Sequence, residues 1–359
     1  MVTSFNIFGF GAKPDTYLGV DIGTLSIKVV ELSNKNGRPK LENYGILQNY
    51  ALAAASSLQD LNVQKTQKAF GGEAALMLKR LLKETGITAQ EVNMSMPIFS
   101  SFLTVMELPP MPESEIASAV QFEAKKYIPV PIDSVVIDWF LIGTGNEGKI
   151  LILLIAIPRE LINEYLEIGR GAGLKPLAAE LETISAARAL IGNDPTPIVL
   201  IDMGSRDTTI SIVDEGYLRI SHSIETSGED LTRVLANNLS INWRRAEELK
   251  KQIGLKIMDN NTQIASVIIP VLDVISGAIS GIIDLYFSKT KKKIEKLIVY
   301  GGAAKMPGFV DYLRNKLKLE TAPGDPFSRI AYPDSLKSII KETGHEFTIA
   351  VGLALRALQ

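Results

Sequence analysis

Two short stretches set the same residue types at the same spacing. "DIGTLSIK", Asp21–Lys28, lies inside "YLGVDIGTLSIKVVEL", and "DMGSRDTT", Asp202–Thr209, lies inside "IVLIDMGSRDTTISIVDEG". Each reads as an apolar strand, an Asp-x-Gly turn with hydroxyls, and a second strand rich in β-branched residues. A glycine-containing hairpin tip can aim several backbone N–H groups at one point, which makes an anion nest. Gly23 and Gly204 let the main chain approach an anion with no Cβ in the way. Thr24, Ser26, Ser205, Thr208 and Thr209 add hydroxyl donors, and Lys28 adds a point charge suited to a phosphoryl oxygen. Asp21 and Asp202 would repel a bare phosphate, so the pattern asks for a cation between. Mg2+ is held by one or two carboxylates together with phosphates and water, which fits them. The plain alternative is a glycine turn capped by an aspartate, occurring twice by chance. The matched flanking strands weigh against it and point to a duplicated domain, the second copy starting about half the chain later.

Two further stretches bear on the same chemistry. "LIVYGGAAKMPGFVDYL", Leu297–Leu313, is an apolar strand that ends in Gly301-Gly302, with a helix beyond Pro307-Gly308. Open α/β sheets bind ligands at such strand-to-helix junctions. In "SINWRRAEELKKQIG", Ser240–Gly254, Glu247 and Lys250 lie three apart on one helix face, where they could grip a ribose and a base. Taken alone, that pair reads equally as a solvated ion pair.

The elements that must carry these groups fit a chain of 359 residues, 46% hydrophobic and 22% charged, with material for more than one domain. Lys+Arg total 38 against 40 Asp+Glu, so no electrostatic case for nucleic acid arises. There are no cysteines, which excludes disulfides, thiolate metal sites and cysteine nucleophiles. The histidines are His222 and His345, too few for a metal cluster, and each reads as a surface or partner-satisfied residue. "MVTSFNIFGFGAK" lacks a signal-peptide pattern and reads as a frayed terminus whose Phe5, Ile7, Phe8 and Phe10 could touch a partner. "ILILLIAIP" is short for a bilayer span of about 20 residues. "IASVIIPVLDVISGAISGIIDLYF" is long enough, yet Pro270, Asp273 and Asp284 interrupt it. The expectation is a buried core helix, with Gly277 and Gly281 packed closely on another element. The protein is expected to be cytoplasmic.

These pieces, in this order, resemble the actin-like ATPase superfamily, which includes actin, Hsp70, MreB, FtsA and sugar kinases. "DIGTLSIK" and "DMGSRDTT" resemble its two phosphate loops. "GGAAKMPG", including Lys305, is similar to its adenosine motif. "SGEDLT", with Gly228, is similar to its Gly-Gly-x-Asp segment, and "AEELK" to the helix holding ribose and adenine. The resemblance implies an α/β protein of the actin-like ATPase fold, with two ribonuclease-H-like lobes around a nucleotide cleft. ATP or ADP with Mg2+ would bind there. The implied ATP-binding residues are Asp21, Gly23, Thr24, Ser26, Lys28, Asp202, Gly204, Ser205, Thr208, Thr209, Gly228, Glu247, Lys250, Gly301, Gly302 and Lys305. Asp21 and Asp202 would serve Mg2+ directly or through water.

Between the first phosphate loop and the second, the sequence reads as an inserted small α+β subdomain of the 1C type found in FtsA. "LPPMPESEI" and "EAKKYIPVPID" within it, and "AGLKPLAAELETISAARAL" after it, look most like the PilM family of type IV pilus assembly. The implied division is an N-terminal tail, 1–14; first lobe, 15–97 and 172–197; inserted subdomain, 98–171; second lobe, 198–225 and 295–359; and subdomain 2B, 226–294. "AGLKPLAAELETISAARAL" and "FTIAVGLALRAL" would hold the connecting helices. In that family the partner is the cytoplasmic N-terminal peptide of the inner-membrane protein PilN. The candidate groove residues here are Phe122, Tyr127, Ile128, Pro129, Val130, Pro131 and Ile132. The implied role is a cytoplasmic, ATP-binding scaffold working with inner-membrane pilus components, touching membrane only through a partner. FtsA is the rival reading, but it carries a membrane-binding amphipathic helix beyond the last core helix, whereas this sequence ends at "ALRALQ". A small-molecule kinase is the third reading. Actin orients its attacking water with a glutamine before the first connecting helix. The stretch "EYLEIGRGAGLKP" offers none, and its Glu164 and Glu167 read as surface carboxylates. The expectation is therefore slow ATP hydrolysis at most.

Overall fold

The computed structural model describes residues 16–48, 63–256 and 262–358. The N-terminal tail, 1–14, with Phe5, Ile7, Phe8 and Phe10, lies outside the described residues. The chain forms two compact units: one runs to Ala189 and regains Arg329–Pro333 and the chain from Ile349, and the other holds Leu190–Ser328 and Asp334–Thr348.

In the first unit, β1 (Thr16–Ile22), β2 (Ser26–Lys35) and β3 (Arg38–Gln48) form an antiparallel meander. Asn36 and Gly37 both have positive φ, 55° and 79°. That is the two-residue turn whose twist matches a hairpin. β4 (Glu91–Met96) and β8 (Lys175–Leu181) add in parallel, giving the order β3-β2-β1-β4-β8. Parallel strands end on the same edge, so the last residues of β1, β4 and β8 are brought together. α1 (Val63–Thr85) leads into β4.

The inserted module follows β4. It contains β5 (Phe102–Leu108), α2 (Glu113–Glu123), β6 (Val135–Thr144) and β7 (Ile150–Pro158), with an antiparallel sheet in the order β5-β7-β6. Its core gathers Met106, Leu108, Ile116, Val120, Ile128, Ile152 and Leu154. α3 (Arg159–Gly171) starts directly after β7. Ile162, Tyr165, Leu166, Ile168 and Gly169 recur at helical spacing and are buried. α4 (Glu182–Leu190) then leaves the end of β8.

The second unit repeats the sheet. β9 (Ile198–Met203), β10 (Thr208–Asp214) and β11 (Tyr217–Ile224) form the meander, while β12 (Lys296–Tyr300) and β13 (Glu320–Pro323) add in parallel. The order β11-β10-β9-β12-β13 is that of the first sheet, strand for strand. Glu215 and Gly216, at φ 56° and 78°, repeat the Asn36–Gly37 turn. The duplication read from two hairpins therefore extends over both sheets, and the α/β class holds.

α5 (Gly228–Leu239), α6 (Trp243–Gln252), α7 (Thr262–Thr290), α8 (Phe309–Leu317) and α9 (Lys337–Thr343) belong to this unit. α7 is a helix long and apolar enough to cross a membrane by length and composition. Ile264, Ile268, Leu272, Ile275, Ile279 and Tyr286 along it are buried in the unit's core. Its opposite side is exposed at Pro270, Val274, Gly277, Gly281 and Leu285. A Cβ built on Gly277 or Gly281 meets nothing within 4 Å, so among the described residues the close packing expected at these glycines is absent. α10 (Thr348–Arg356) closes the fold. It crosses α4 so closely that a Cβ on Gly352 would lie 1.9 Å from the Ser185 carbonyl oxygen.

Candidate functional site

In the first unit, Asp21 is the last residue but one of β1 and faces Lys28 across the β1–β2 register. Its carboxylate is 3% exposed. Lys28 Nζ lies 3.0 Å from Oδ2, and Ser95 Oγ, on β4, donates to Oδ1 at 3.1 Å. Ser95 Oγ in turn accepts the Ile22 N–H at 3.2 Å. The Gly23 N–H closes the turn on the Ser26 carbonyl at 3.0 Å, and a Cβ on Gly23 would sit 3.8 Å from the Lys28 ammonium. Asp21, Gly23, Ser26 and Lys28 are thus one constellation, with Thr24 at its tip. Gly23 itself builds the turn rather than offering its N–H outward.

Glu182 belongs to the same end of the sheet and was not among the residues singled out from sequence. It heads α4, the first connecting helix, and Oε1 accepts the Ile98 N–H at 3.0 Å. Tyr165 of α3 is nearby and 7% exposed. Burial raises its hydroxyl pKa most, followed by the charges of Glu182, Asp21 and Glu164. The search along "EYLEIGRGAGLKP" falls on α3, whereas the residue at the start of the connecting helix is this glutamate. The signal that could find it is strand counting: β8 is parallel to β4 and ends at Leu181 opposite Met96, so residue 182 must emerge beside the end of β4, on the edge where β1 ends with Asp21. Glu167 is exposed as expected. Glu164 is partly enclosed, and burial, then Glu167, pushes its carboxyl above the usual range.

The second unit holds the matching turn. Asp202 is the last residue but one of β9 and faces Thr209, the position that Lys28 holds in the first hairpin. The Gly204 N–H closes on the Asp207 carbonyl at 3.1 Å. The Thr208 hydroxyl donates to the Thr226 carbonyl at 2.7 Å, and Thr209 Oγ1 lies 2.9 Å from Ser223 Oγ. Both hydroxyls therefore secure the hairpin. Burial raises the Asp207 pKa at this turn, against a lowering hydrogen bond from Thr209.

α5 is latched to this turn by its first amides. Gly228 N–H donates to the Gly204 carbonyl and Glu229 N–H to the Ser205 carbonyl, each at 3.0 Å. The Asp230 carboxylate caps the helix start by accepting the Ser227 N–H at 2.8 Å. Lys250 of α6 comes from below: Nζ donates to the Gly228 carbonyl at 2.9 Å and to Thr232 Oγ1 at 2.8 Å, and lies 2.6 Å from Glu247 Oε2. Lys250 is 5% exposed, so the solvated-pair reading does not hold. Burial lowers the Lys250 pKa, partly restored by Glu247. Burial alone would raise Glu247, but Lys250 and Thr232 hold it below the usual carboxylate range.

The third glycine stretch meets the same turn. Gly301 has φ +88°, and a Cβ there would lie 2.3 Å from Asp202 Oδ1. Only glycine allows both that backbone and that approach. A Cβ on Gly302 would meet nothing within 4 Å. Gly228 lies against Ala303, whose Cβ would be 3.1 Å from its own. Lys305 pairs with Glu342 at 3.2 Å. His345, whose carbonyl accepts the Gly301 N–H, is 8% exposed, and its Nε2 has no hydrogen-bond partner among the described residues. It is neither a surface nor a satisfied histidine: burial, then the Lys305 charge, lowers its pKa to about 4. His222 is exposed.

In each unit, then, a carboxylate, a glycine turn and hydroxyl-bearing loop residues stand at one edge of the sheet. Carboxylate oxygens of this kind suit a hard divalent cation that brings its own phosphates and waters. Among the described residues no group of three or more His, Asp or Glu is arranged to hold a metal by itself.

On the inserted module, Phe122, Tyr127, Pro129, Val130 and Pro131 are exposed, Phe122 by 70%. Lys126 Nζ lies 5.9 Å over the Phe122 ring. Ile128 points the other way, into the module core, and Ile132 packs against that core.

The sequence profile described as type IV pilus assembly protein PilM matches residues 19–358. Cell division protein FtsA of Enterococcus faecalis is 22% identical over 351 residues, covering 84% of this chain and 76% of that protein. A solved PilM–PilN type IV pilus biogenesis complex matches with a TM-score of 0.81 and 24% identity, over 97% of this chain and 100% of that one. MreB 5 of Spiroplasma citri, solved bound to AMPPNP, matches with a TM-score of 0.51 and 13% identity, over 95% of each chain.

Proposed function

The chain belongs to the PilM family of type IV pilus assembly proteins and has the actin-like fold, and from that premise we propose that it is a nucleotide-dependent scaffold of the pilus assembly machine. The observation that carries the nucleotide part is the repeated hairpin. In both units an aspartate stands last but one in the first strand, followed by a glycine whose N–H closes the turn, with donors at the tip. The ligand is ATP or ADP with Mg2+. Asp21 and Asp202 supply carboxylates to the cation, while Lys28, Thr24, Ser26 and Ser205 meet phosphate oxygens. Gly301 packs its backbone against Asp202, Gly302 beyond it leaves room for the nucleoside, and Lys250 and Glu247 stiffen the wall that Gly228 begins. MreB 5, a distant relative of the same fold, was solved with AMPPNP, which supports this assignment.

Hydrolysis is slow or absent in this reading. The Glu182 carboxylate, which could orient a water at the start of α4, already accepts the Ile98 N–H, in keeping with little turnover. The partner is the cytoplasmic N-terminal peptide of PilN, named with PilM in the matching complex. It lies along the exposed Phe122, Tyr127, Pro129, Val130 and Pro131 face of the module, now without Ile128. The protein is thereby a cytoplasmic one that reaches the inner membrane through its partner. The division into 1–14, 15–97, 98–171, 172–197, 198–225, 226–294 and 295–359 remains part of this reading. The FtsA likeness favours one alternative, a filament-forming protein. Pelleting with ATP separates the two, since a scaffold stays in the supernatant.

The test of the site is calorimetry with AMPPNP and Mg2+. Asp21→Ala and Lys28→Ala each lose about tenfold or more in affinity, since each removes a charge that acts on phosphate or its cation. Unchanged affinity in both variants would leave only a plain turn.

A further inference from the structure

We propose that Glu182 is a positioning residue that ties the entry of the inserted module to the sheet edge carrying the first turn, so that nucleotide alters the module's attachment. The inference rests on the nucleotide reading above and adds its regulation.

The chain enters the module once and leaves it once. It enters through Pro97–Ser101, between β4 and β5, and leaves through α3, which begins at Arg159 as β7 ends at Pro158. The entry runs past the carboxylates of Asp21 and Glu182. At the entry, Ser95 donates to Asp21, and three residues later the Ile98 N–H donates to Glu182 Oε1 at 3.0 Å. Ser101 folds back on this amide, its N–H on the Ile98 carbonyl at 2.9 Å and its hydroxyl on the Pro97 carbonyl at 2.8 Å. The entry turn is therefore one piece, held to the unit by the Glu182 carboxylate.

Lys28 is the cation paired to Asp21, and Glu182 follows β8 at the same edge of the sheet. A triphosphate with its divalent cation changes this balance more than any other event at the turn. Glu182 has a choice between the Ile98 amide and the cation's water shell. A ligand shifts such a choice only through its different affinity for the two arrangements. When Glu182 turns to the ligand, the entry amide loses its acceptor, and the module is held by one tie fewer at its entry.

The experiment is hydrogen exchange of the full chain with and without AMPPNP and Mg2+, beside calorimetry of the same nucleotide. In the natural sequence, exchange across Ile98–Ser101 quickens about tenfold on binding, as for an amide released from one buried acceptor. In Glu182→Ala and Glu182→Gln, with melting temperatures recorded as a check on folding, the nucleotide response falls below about twofold. Should Glu182→Ala fail to fold, Glu182→Gln, which keeps an oxygen to accept the Ile98 N–H and loses only the charge, carries the test. Nucleotide that binds yet leaves Ile98–Ser101 exchange unchanged or slower overturns the tie and leaves the nucleotide reading standing. A full response in the folded variants does the same. Nucleotide that fails to bind the natural sequence removes both.

Discussion

Lys250 and Lys251 both pair with Glu247, and they should not be worth the same. Lys250 Nζ is buried and also holds the Gly228 carbonyl and Thr232, whereas Lys251 reaches Glu247 Oε1 at 3.1 Å from an exposed position. Removing one partner of a buried pair leaves an uncompensated charge and an unmet carbonyl. Lys250→Ala is expected to cost about 3 kcal/mol. Lys251→Ala, a surface change, should cost less than about 1 kcal/mol. Urea unfolding of the two variants checks the contrast, and equal losses would contradict the burial argument. The sequence could not separate these lysines. The i,i+3 and i,i+4 spacings look alike on a helix, and only the approach of α5 decides which one is covered. His345 makes a second residue-scale prediction. Its pKa falls from 6.5 unfolded to about 4 folded. The unfolded chain therefore binds the proton first as pH drops. This histidine's contribution is whole above pH 6.5 and is lost progressively toward pH 4, by up to about 3 kcal/mol. His345→Gln cannot ionise, so the difference in stability between it and the natural chain should change over that window and be flat above it. A constant difference from pH 7 to pH 4.5 would contradict this.

At the scale of elements, the two meanders were legible because their turns are chemically explicit. Asp-x-Gly tips and the Asn36–Gly37 and Glu215–Gly216 turns demand particular backbones, and strands of β-branched residues flank them. α7 was legible as a helix but not in its surroundings. Its apolar composition suggested burial all round, and Gly277-x-x-x-Gly281 suggested a tight neighbour. The structure buries one side and leaves both glycines open. With no backbone pressed against them, these glycines only weaken the helix. Each costs roughly 0.5–1 kcal/mol relative to alanine in a helix interior. Gly277→Ala and Gly281→Ala should each stabilise the monomeric chain by about that amount, and together by about 1–2 kcal/mol. Thermal or urea unfolding gives the sign directly. A loss of stability on either substitution would mean that something packs on this face after all. Ile128 and the residues beside it teach the same lesson in a loop. "YIPVPID" is apolar throughout, and sequence cannot tell which residue the module core will claim.

For the whole molecule, what sequence could not convey is adjacency that depends on strands far apart in the chain. Asp21, Ser95 and Glu182 meet only because β1, β4 and β8 run parallel and stop together. Asp202 and Gly301 meet for the same reason through β9 and β12. Local motifs identified the two Asp-x-Gly turns, while Glu182, which no local motif marks, needed the register. That convergence also sets a thermodynamic requirement on the proposed scaffold. If nucleotide and the PilN peptide both act on the attachment of the module, their binding free energies must be linked. The factor by which ATP–Mg2+ changes peptide affinity must then equal the factor by which peptide changes ATP–Mg2+ affinity. Calorimetry of the peptide with and without AMPPNP–Mg2+, and of AMPPNP–Mg2+ with and without the peptide, measures both factors independently. A coupling of about tenfold, or 1.4 kcal/mol, is the expected size for one exchanged carboxylate contact. Glu182→Ala should bring both factors toward one together, because a broken link cannot vanish in one direction alone. Two equal affinities in the natural chain would leave a scaffold that holds nucleotide and peptide side by side without communication between them.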